Sequence, residues 1–263
     1  MTEEPATTHS PKKKQKMSQG NTNKWKILCI HGYRQNGDVF KQKTGALRKV
    51  LKKHAEFVFV TAPMRVPPLE TSEPQTTDES SNLEQYGWWF SDENSGFNSK
   101  KPSDICIGFT KSLEVITNAF KENGPFDGLL GFSQGASFVS VLCGMQERGC
   151  LSFSFKFAIL IAGFRSLCSP HYKNYLKTVK IPTLHVYGET DQIIPKEMSE
   201  ELTSYYLNPI KMVHSGGHYV PASGKDVYIK FLEEGIWEVM EEEECEENES
   251  VSGCNDESED SET

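Results

Sequence analysis

Leu129-Leu130-Gly131-Phe132-Ser133-Gln134-Gly135-Ala136 joins an apolar run to a G-x-S-x-G pentad and then to the small residues that open an amphipathic stretch. A serine that projects its hydroxyl from a tight strand-to-helix turn sits in strained backbone, and side chains two positions to either side would collide across that turn. Gly131 and Gly135 remove those side chains. The spacing predicts a strand, Ser133 as a nucleophile at its tip, and a helix from Gln134. The Gln134 backbone N–H, helped by the helix dipole, then faces the substrate oxygen on which negative charge develops.

A serine hydroxyl attacks only when a base takes its proton, so a histidine and an orienting carboxylate are required downstream. Thr183-Leu184-His185-Val186-Tyr187-Gly188-Glu189-Thr190-Asp191 reads as a strand running into a turn, with Asp191 at its carboxyl end and Glu189 as the competitor closer to the strand. The next strand ends in His214-Ser215-Gly216-Gly217-His218-Tyr219-Val220-Pro221. His214 abuts the strand, where a histidine more often makes a structural contact, whereas two glycines let His218 fold back over the sheet. The expected set is Ser133, Asp191 and His218, in the chain order of an α/β-hydrolase. A second oxyanion donor is expected from the loop Ile30-His31-Gly32-Tyr33-Arg34-Gln35-Asn36, with the Tyr33 N–H as the candidate and His31 as a hydrogen-bonding support. His185 lies inside a strand and reads as a core histidine. His9, His54 and His171 have no partner at metal-ligand spacing, so neither a metal nor any other cofactor is expected. Cys143, in the helix after Ser133, reads as packing.

Outward from this centre, short β-branched runs alternate with amphipathic stretches. Lys26–Ile30, Phe57–Val60, Gly128–Leu130, Phe157–Ile161, Thr183–Tyr187 and Lys211–Val213 read as buried strands. Helices are expected over 104–123, with Ser103 as N-cap and Gly124-Pro125 as the stop, over 134–146 and over 225–234. The alternation implies a mostly parallel central sheet with helices on both faces and ligands at the carboxyl ends of the strands. An insertion at about 64–101 breaks the rhythm. It is too long for a simple connection and carries Tyr86-Gly87-Trp88-Trp89-Phe90, whose Trp88, Trp89 and Phe90 either line an acyl pocket or anchor the loop.

The chain of 263 residues is 37% hydrophobic with a net charge of −9, which excludes a membrane bundle and a wholly disordered chain. The charge is confined to the ends. Residues 238–263 hold 13 carboxylates and no lysine or arginine, while residues 1–24 carry five lysines against Glu3 and Glu4. Both ends are expected to be solvated, disordered tails. The run Pro11-Lys12-Lys13-Lys14-Gln15-Lys16 has a nuclear-import signal as its second reading. Residues 25–237 form the expected domain; with 23 basic and 22 acidic side chains they offer no bulk charge to nucleic acid. Seven cysteines without a C-x-x-C pair point to reduced thiols and a cytoplasmic protein. No signal sequence is evident, and the apolar run Phe157–Phe164 is too short to span a bilayer, so no stable membrane insertion is expected.

Taken together, Ile30 to Asn36, Gly131 to Ala136, Leu184 to Asp191 with Ile193-Ile194-Pro195, and Gly217 to Pro221 resemble the eukaryotic family of serine hydrolases. That family contains the fungal polyketide-releasing thioesterases and the animal ovarian cancer-associated gene 2 esterase. The resemblance covers residues 25–236, and Gly87-Trp88-Trp89-Phe90 is similar to the animal members. It implies an α/β-hydrolase acting on small-molecule or lipid carboxylic esters, with long acyl chains as the preference, and it places nucleophile, acid and base on Ser133, Asp191 and His218. Acyl-thioester cleavage, acyl transfer and a non-catalytic interaction protein acting through its tails are the alternatives. Acyl-protein thioesterases share the elbow but follow His-Gly with Leu-Gly-Asp, where this chain has Tyr33-Arg34-Gln35.

Overall fold

A computed structural model describes residues 24–68 and 84–236. The expectations for the basic tail, apart from Lys24, and for the acidic tail and the middle of the insertion lie outside the described residues.

The elements run β1 (Trp25–Ile30), α1 (Gly37–Lys43), α2 (Gly45–Leu51), β2 (Ala55–Val60), β3 (Met64–Arg65), β4 (Tyr86–Gly87), α3 (Phe109–Asn123), β5 (Gly128–Phe132) and α4 (Gln134–Glu147). Then follow β6 (Phe157–Ile161), a 3-10 turn (Ser169–Tyr175), β7 (Thr183–Gly188), α5 (Lys196–Thr203), β8 (Ile210–His214) and α6 (Lys225–Lys230), which continues into a π turn (Phe231–Gly235). The main sheet has six strands in the order β2-β1-β5-β6-β7-β8. Every neighbouring pair in it is parallel.

Each strand side sends its side chains into one of two cores, as the two-residue period of a strand requires. Leu28, Ile30, Leu129 and Leu160 pack with Ile116 and Phe138 of α3 and α4. Ile27, Cys29, Leu130 and Phe132 pack on the other face with Phe40, Leu47, Tyr228 and Phe231. β5, β6 and β7 are buried along their whole length, which explains the unbroken runs without charge or polar side chains of β5 and β6; β7 also buries Thr183 and His185. After β2 the chain returns to pair β5 on the far side of β1, so the strand order reverses between β1 and β5. In an open parallel sheet the crevice at such a reversal is where ligands bind.

One helix starts later than expected. α3 begins at Phe109, after Gly108 at φ 90, and not at Asp104. Residues 104–107 are held otherwise: Ile107 pairs with Phe90, and the Ser103 hydroxyl accepts from the Ile105 N–H and donates to the Ser91 carbonyl in place of capping a helix. The described parts of the insertion are welded to the domain, since β4 pairs antiparallel with β3 and Tyr86 bridges Gln35. Trp88 and Trp89 are fully buried and Phe90 nearly so.

Candidate active site

β5 ends in the turn that carries Ser133, which has φ 54 and ψ −118, a region that costs a non-glycine residue about 1–3 kcal/mol. The surroundings hold it there: the Ser133 N–H donates to the Ile161 carbonyl of β6 at 2.9 Å, and α4 begins at once behind it. A Cβ on Gly135 would lie 2.2 Å from the Ile30 carbonyl oxygen, and one on Gly131 would lie 2.6 Å from the backbone of Ala136. Both glycines are therefore demanded by close backbone approach, as the pentad implies.

The β7 and β8 loops bring the distant partners to this point. The Ser133 hydroxyl lies 3.0 Å from His218 Nε2, and His218 Nδ1 lies 2.7 Å from Asp191 Oδ2. Asp191 Oδ1 accepts the backbone N–H groups of Ile193 and Ile194, both at 2.9 Å. With its side chain 1% exposed, the carboxylate is fixed by two donors and presents its other oxygen to the imidazole. Its acceptor role selects the tautomer with hydrogen on Nδ1, which leaves Nε2 as the proton acceptor facing serine. Glu189 is exposed and does not make this contact. His214 Nδ1 accepts the Gly216 N–H within its own loop.

On the opposite side stands the loop after β1. His31 is fully buried, its Nε2 accepts the Ala62 N–H at 3.0 Å and its Nδ1 meets the Gly32 carbonyl at 2.7 Å. Burial pushes its pKa down to about 4 against a smaller upward pull from the Gly32 carbonyl, so it is a neutral support, as its place at the strand end suggests. His185 is likewise buried, and desolvation lowers its pKa to about 3. The Gly32 N–H is taken by Gln35 Oε1 and the Arg34 N–H by the Tyr86 carbonyl, with Tyr33 between them.

Sequence reasoning saw Gln134 only as a backbone donor. Its fully buried side chain is a clamp: Oε1 accepts the Trp88 N–H at 2.9 Å and Nε2 donates to the Trp89 carbonyl at 2.8 Å. Trp88 Nε1 donates in turn to the His31 carbonyl at 2.7 Å. The tryptophans thus anchor the insertion to the elbow and to the β1 loop. They do not line the cleft beside Ser133, and neither does Phe90. That cleft, of about 470 Å3, is walled by Tyr33, Phe97, Phe132, Ile193 and Ile194, with Lys100 at its edge. A second cavity of about 390 Å3 shares Gln35, Phe132 and His218 with it. The Lys100 ammonium donates to the Gln192 carbonyl at 3.1 Å, which ties the insertion across to the loop that carries Asp191.

The fold also assembles what spacing had separated. Cys106, Cys168 and His171 place their sulfur and nitrogen atoms within 4.8 Å of one another. Contrary to the expectation that His171 has no partner at metal-ligand spacing, Cys168 stands three residues before it in the chain, and Cys106 arrives from 65 residues earlier. Among the described residues, all five cysteines are free, and no helix is long and apolar enough to cross a membrane.

Known proteins resemble this chain in sequence and in fold. Residues 17–228 match the family model described as serine hydrolase (FSH1). Esterase OVCA2 of Xenopus tropicalis is 45% identical over 211 residues, covering 79% of this chain and 92% of the relative, and Esterase OVCA2 of Danio rerio is 46% identical over 217 residues, covering 79% and 96%. Esterase CG5412 of Drosophila melanogaster is 42% identical over 91% of this chain and 84% of its own length. Among solved structures, acyl-protein thioesterase 2 of Zea mays superposes with a TM-score of 0.55 at 18% identity, covering 82% of this chain and 95% of that one. YahD with malic acid gives 0.56 at 13% identity, covering 83% and 97%. At these identities the structures establish a shared α/β-hydrolase fold.

Proposed function

The chain belongs to the FSH1 serine hydrolase family, whose members include carboxylic ester hydrolases, and from that premise we propose that it cleaves long-chain acyl esters through Ser133, His218 and Asp191. The observation that supports this reading is the continuous contact from the strained Ser133 to His218 at 3.0 Å and on to Asp191 at 2.7 Å. Ser133 Oγ attacks the acyl carbonyl as its proton passes to His218 Nε2, and Asp191 steadies the resulting imidazolium. The tetrahedral oxyanion is received by the backbone N–H groups of Tyr33 and Gln134. Its collapse expels the alcohol, which takes the proton from His218 and leaves an acyl-serine. Water, deprotonated by the same histidine, attacks that ester, and the acid departs as Ser133 regains its proton.

The long-chain preference draws on the cleft wall. Tyr33, Phe97, Phe132, Ile193 and Ile194 are apolar, and the volume of about 470 Å3 lies within the range that holds a drug-sized ligand. Labelling by a fluorophosphonate probe, wild type beside Ser133→Ala, tests the nucleophile, and hydrolysis of p-nitrophenyl esters from acetyl to palmitoyl tests the preference. Labelling lost in the variant with kcat/KM rising with chain length is expected. Labelling of Ser133→Ala would overturn the assignment of the nucleophile, and a flat or falling chain-length series would overturn the long-chain reading.

A further inference from the structure

We propose that Cys106, Cys168 and His171 form a binding site for one zinc-class cation, a soft or borderline d10 metal ion, where His171 packs against Trp89 and Phe109. The ligand atoms lie mutually within 4.8 Å, with Cys106 Sγ and His171 Nε2 3.1 Å apart. In a tetrahedral zinc site with bonds of about 2.3 Å to sulfur and about 2.0–2.1 Å to nitrogen, ligand atoms stand roughly 3.6–3.8 Å apart. Cys106 Sγ and His171 Nε2 must open by about half an ångström, and a pair at the 4.8 Å limit must close by about 1 Å, to seat an ion among these three. Both sulfurs share one hydrogen-bonded cluster, with Cys168 in side-chain contact with Cys106 and Cys106 in contact with the imidazole of His171.

The histidine is already oriented for this role. His171 Nδ1 lies 2.7 Å from the Ser166 hydroxyl, which also accepts the Cys168 N–H at 3.3 Å. Metal-bound histidines commonly spend their second nitrogen on such an outer partner, which fixes the ring and leaves the other lone pair for the ion. Backbone bonds brace both halves: Phe90 and Ile107 flank Cys106 from the insertion, and Ser103 pairs across to Leu167 and Ser169 on either side of Cys168. The chemistry of the donors selects the ion. Two thiolates and a neutral imidazole suit zinc, cadmium or copper(I) over magnesium or calcium. Two thiolates also cancel a double positive charge, which a site with Cys168 and His171 at 5% and 1% exposure requires. Loading releases both thiol protons to solvent. Cys106 is only half-buried, which gives the ion a way in. The described residues supply three donors, so water completes the coordination.

The test uses the full chain, reduced, in a background of Cys150→Ser, Cys245→Ser and Cys254→Ser that removes the exposed thiol and the two beyond the described residues. Titration with cadmium alone is followed by the ultraviolet thiolate-to-cadmium charge-transfer band. One saturable equivalent is expected. Ser166→Ala weakens it roughly 10- to 100-fold, and Cys106→Ser weakens it further and halves the band, while far-ultraviolet circular dichroism and a cooperative thermal transition report that Cys106→Ser remains folded. Because changes at the buried His171 risk the fold, X-ray absorption of the zinc-loaded background protein supplies the independent readout, with two sulfur ligands at about 2.3 Å and one nitrogen at about 2.0–2.1 Å expected. No saturable band at one equivalent, a band undiminished by Cys106→Ser, or a zinc shell without sulfur would overturn the site. None of these readouts depends on the esterase reading.

Discussion

Gln134→Met keeps the length and volume of a fully buried side chain while removing both of its hydrogen bonds to the insertion. The Trp88 N–H and the Trp89 carbonyl are then left without a partner in a region too well packed for water. Each stranded group costs about 1–3 kcal/mol, so the variant is expected to lose about 2–6 kcal/mol. A domain of this kind holds about 5–15 kcal/mol in total, which makes the loss a large fraction of its stability. Urea unfolding followed by tryptophan fluorescence reads it as a lower midpoint at an unchanged slope. Activity falls separately. The same residue gives its backbone N–H to the proposed oxyanion site, and loosening it costs up to the roughly 10²- to 10³-fold of a lost donor. A midpoint shift equivalent to less than about 0.5 kcal/mol, the range of an ordinary surface change, would refute the clamp.

Four further outcomes are expected. Ser133→Gly abolishes ester hydrolysis yet does not destabilise, because relief of about 1–3 kcal/mol of strain at φ 54 outweighs the 0.5–1 kcal/mol or so that glycine costs in chain entropy; a thermal midpoint below wild type counts against it. Asp191→Asn lowers kcat by about 10⁴-fold by presenting the wrong tautomer, whereas Glu189→Gln stays near wild type, and comparable losses in the two would remove Asp191 from its role. His31 and His185 titrate near 6.5 when unfolded but at about 4 and about 3 when folded, so the unfolded chain binds more protons and stability falls as pH drops below 6.5. Each contributes a loss of about 2 kcal/mol by pH 5, and a urea midpoint unchanged between pH 7 and pH 5 excludes it. Gly135→Ala forces a methyl group against the Ile30 and His31 carbonyls and is expected to cost about 1–3 kcal/mol or more; an unchanged melting temperature contradicts the close approach of α4 to β1.

What the sequence made legible is what is local in the chain. β5 and β6 are buried on both faces, so their apolar runs are uninterrupted and visible. Ser133 follows β5 directly, Asp191 and His218 lie within four residues of the ends of β7 and β8, and glycine marks the turns around them, so order along the chain pointed to all three. The start of α3 was misread because Ile105 continues the helical spacing of Phe109, Leu113, Ile116 and Phe120 while belonging to a segment whose Ile107 bridges Phe90, and only Gly108 at φ 90 marks the break. Trp88 and Trp89 carried an ambiguous signal, since an aromatic cluster in a long insertion has the same composition whether it faces a ligand or a core. The Gln134 side chain and the Cys106, Cys168 and His171 group were invisible for a single reason. Trp88 and Trp89 reach Gln134, and Cys106 reaches Cys168 and His171, only when segments 45 to 65 residues apart in the chain come together.

The insertion is consequently part of the site's frame, as the bonds at its base show. Tyr86 exchanges backbone bonds with Arg34 and Gln35 in the turn that holds Tyr33, and two residues later Trp88 and Trp89 are bound by Gln134. The two N–H groups proposed to receive the oxyanion, from loops a hundred residues apart, are thereby referred to a single stretch of four residues, Tyr86 to Trp89. Donors held in this way need not reorganise as charge develops, which is the main source of electrostatic rate enhancement. Backbone donors cannot be removed by changing their own side chains, so the clamp is where their alignment is open to substitution. It also makes packing of the tryptophans a condition of catalysis: a change that loosens Trp88 or Trp89 should depress acetyl and palmitoyl ester hydrolysis alike, whereas one at Phe97 or Ile193 in the cleft wall should fall mainly on the longer chain.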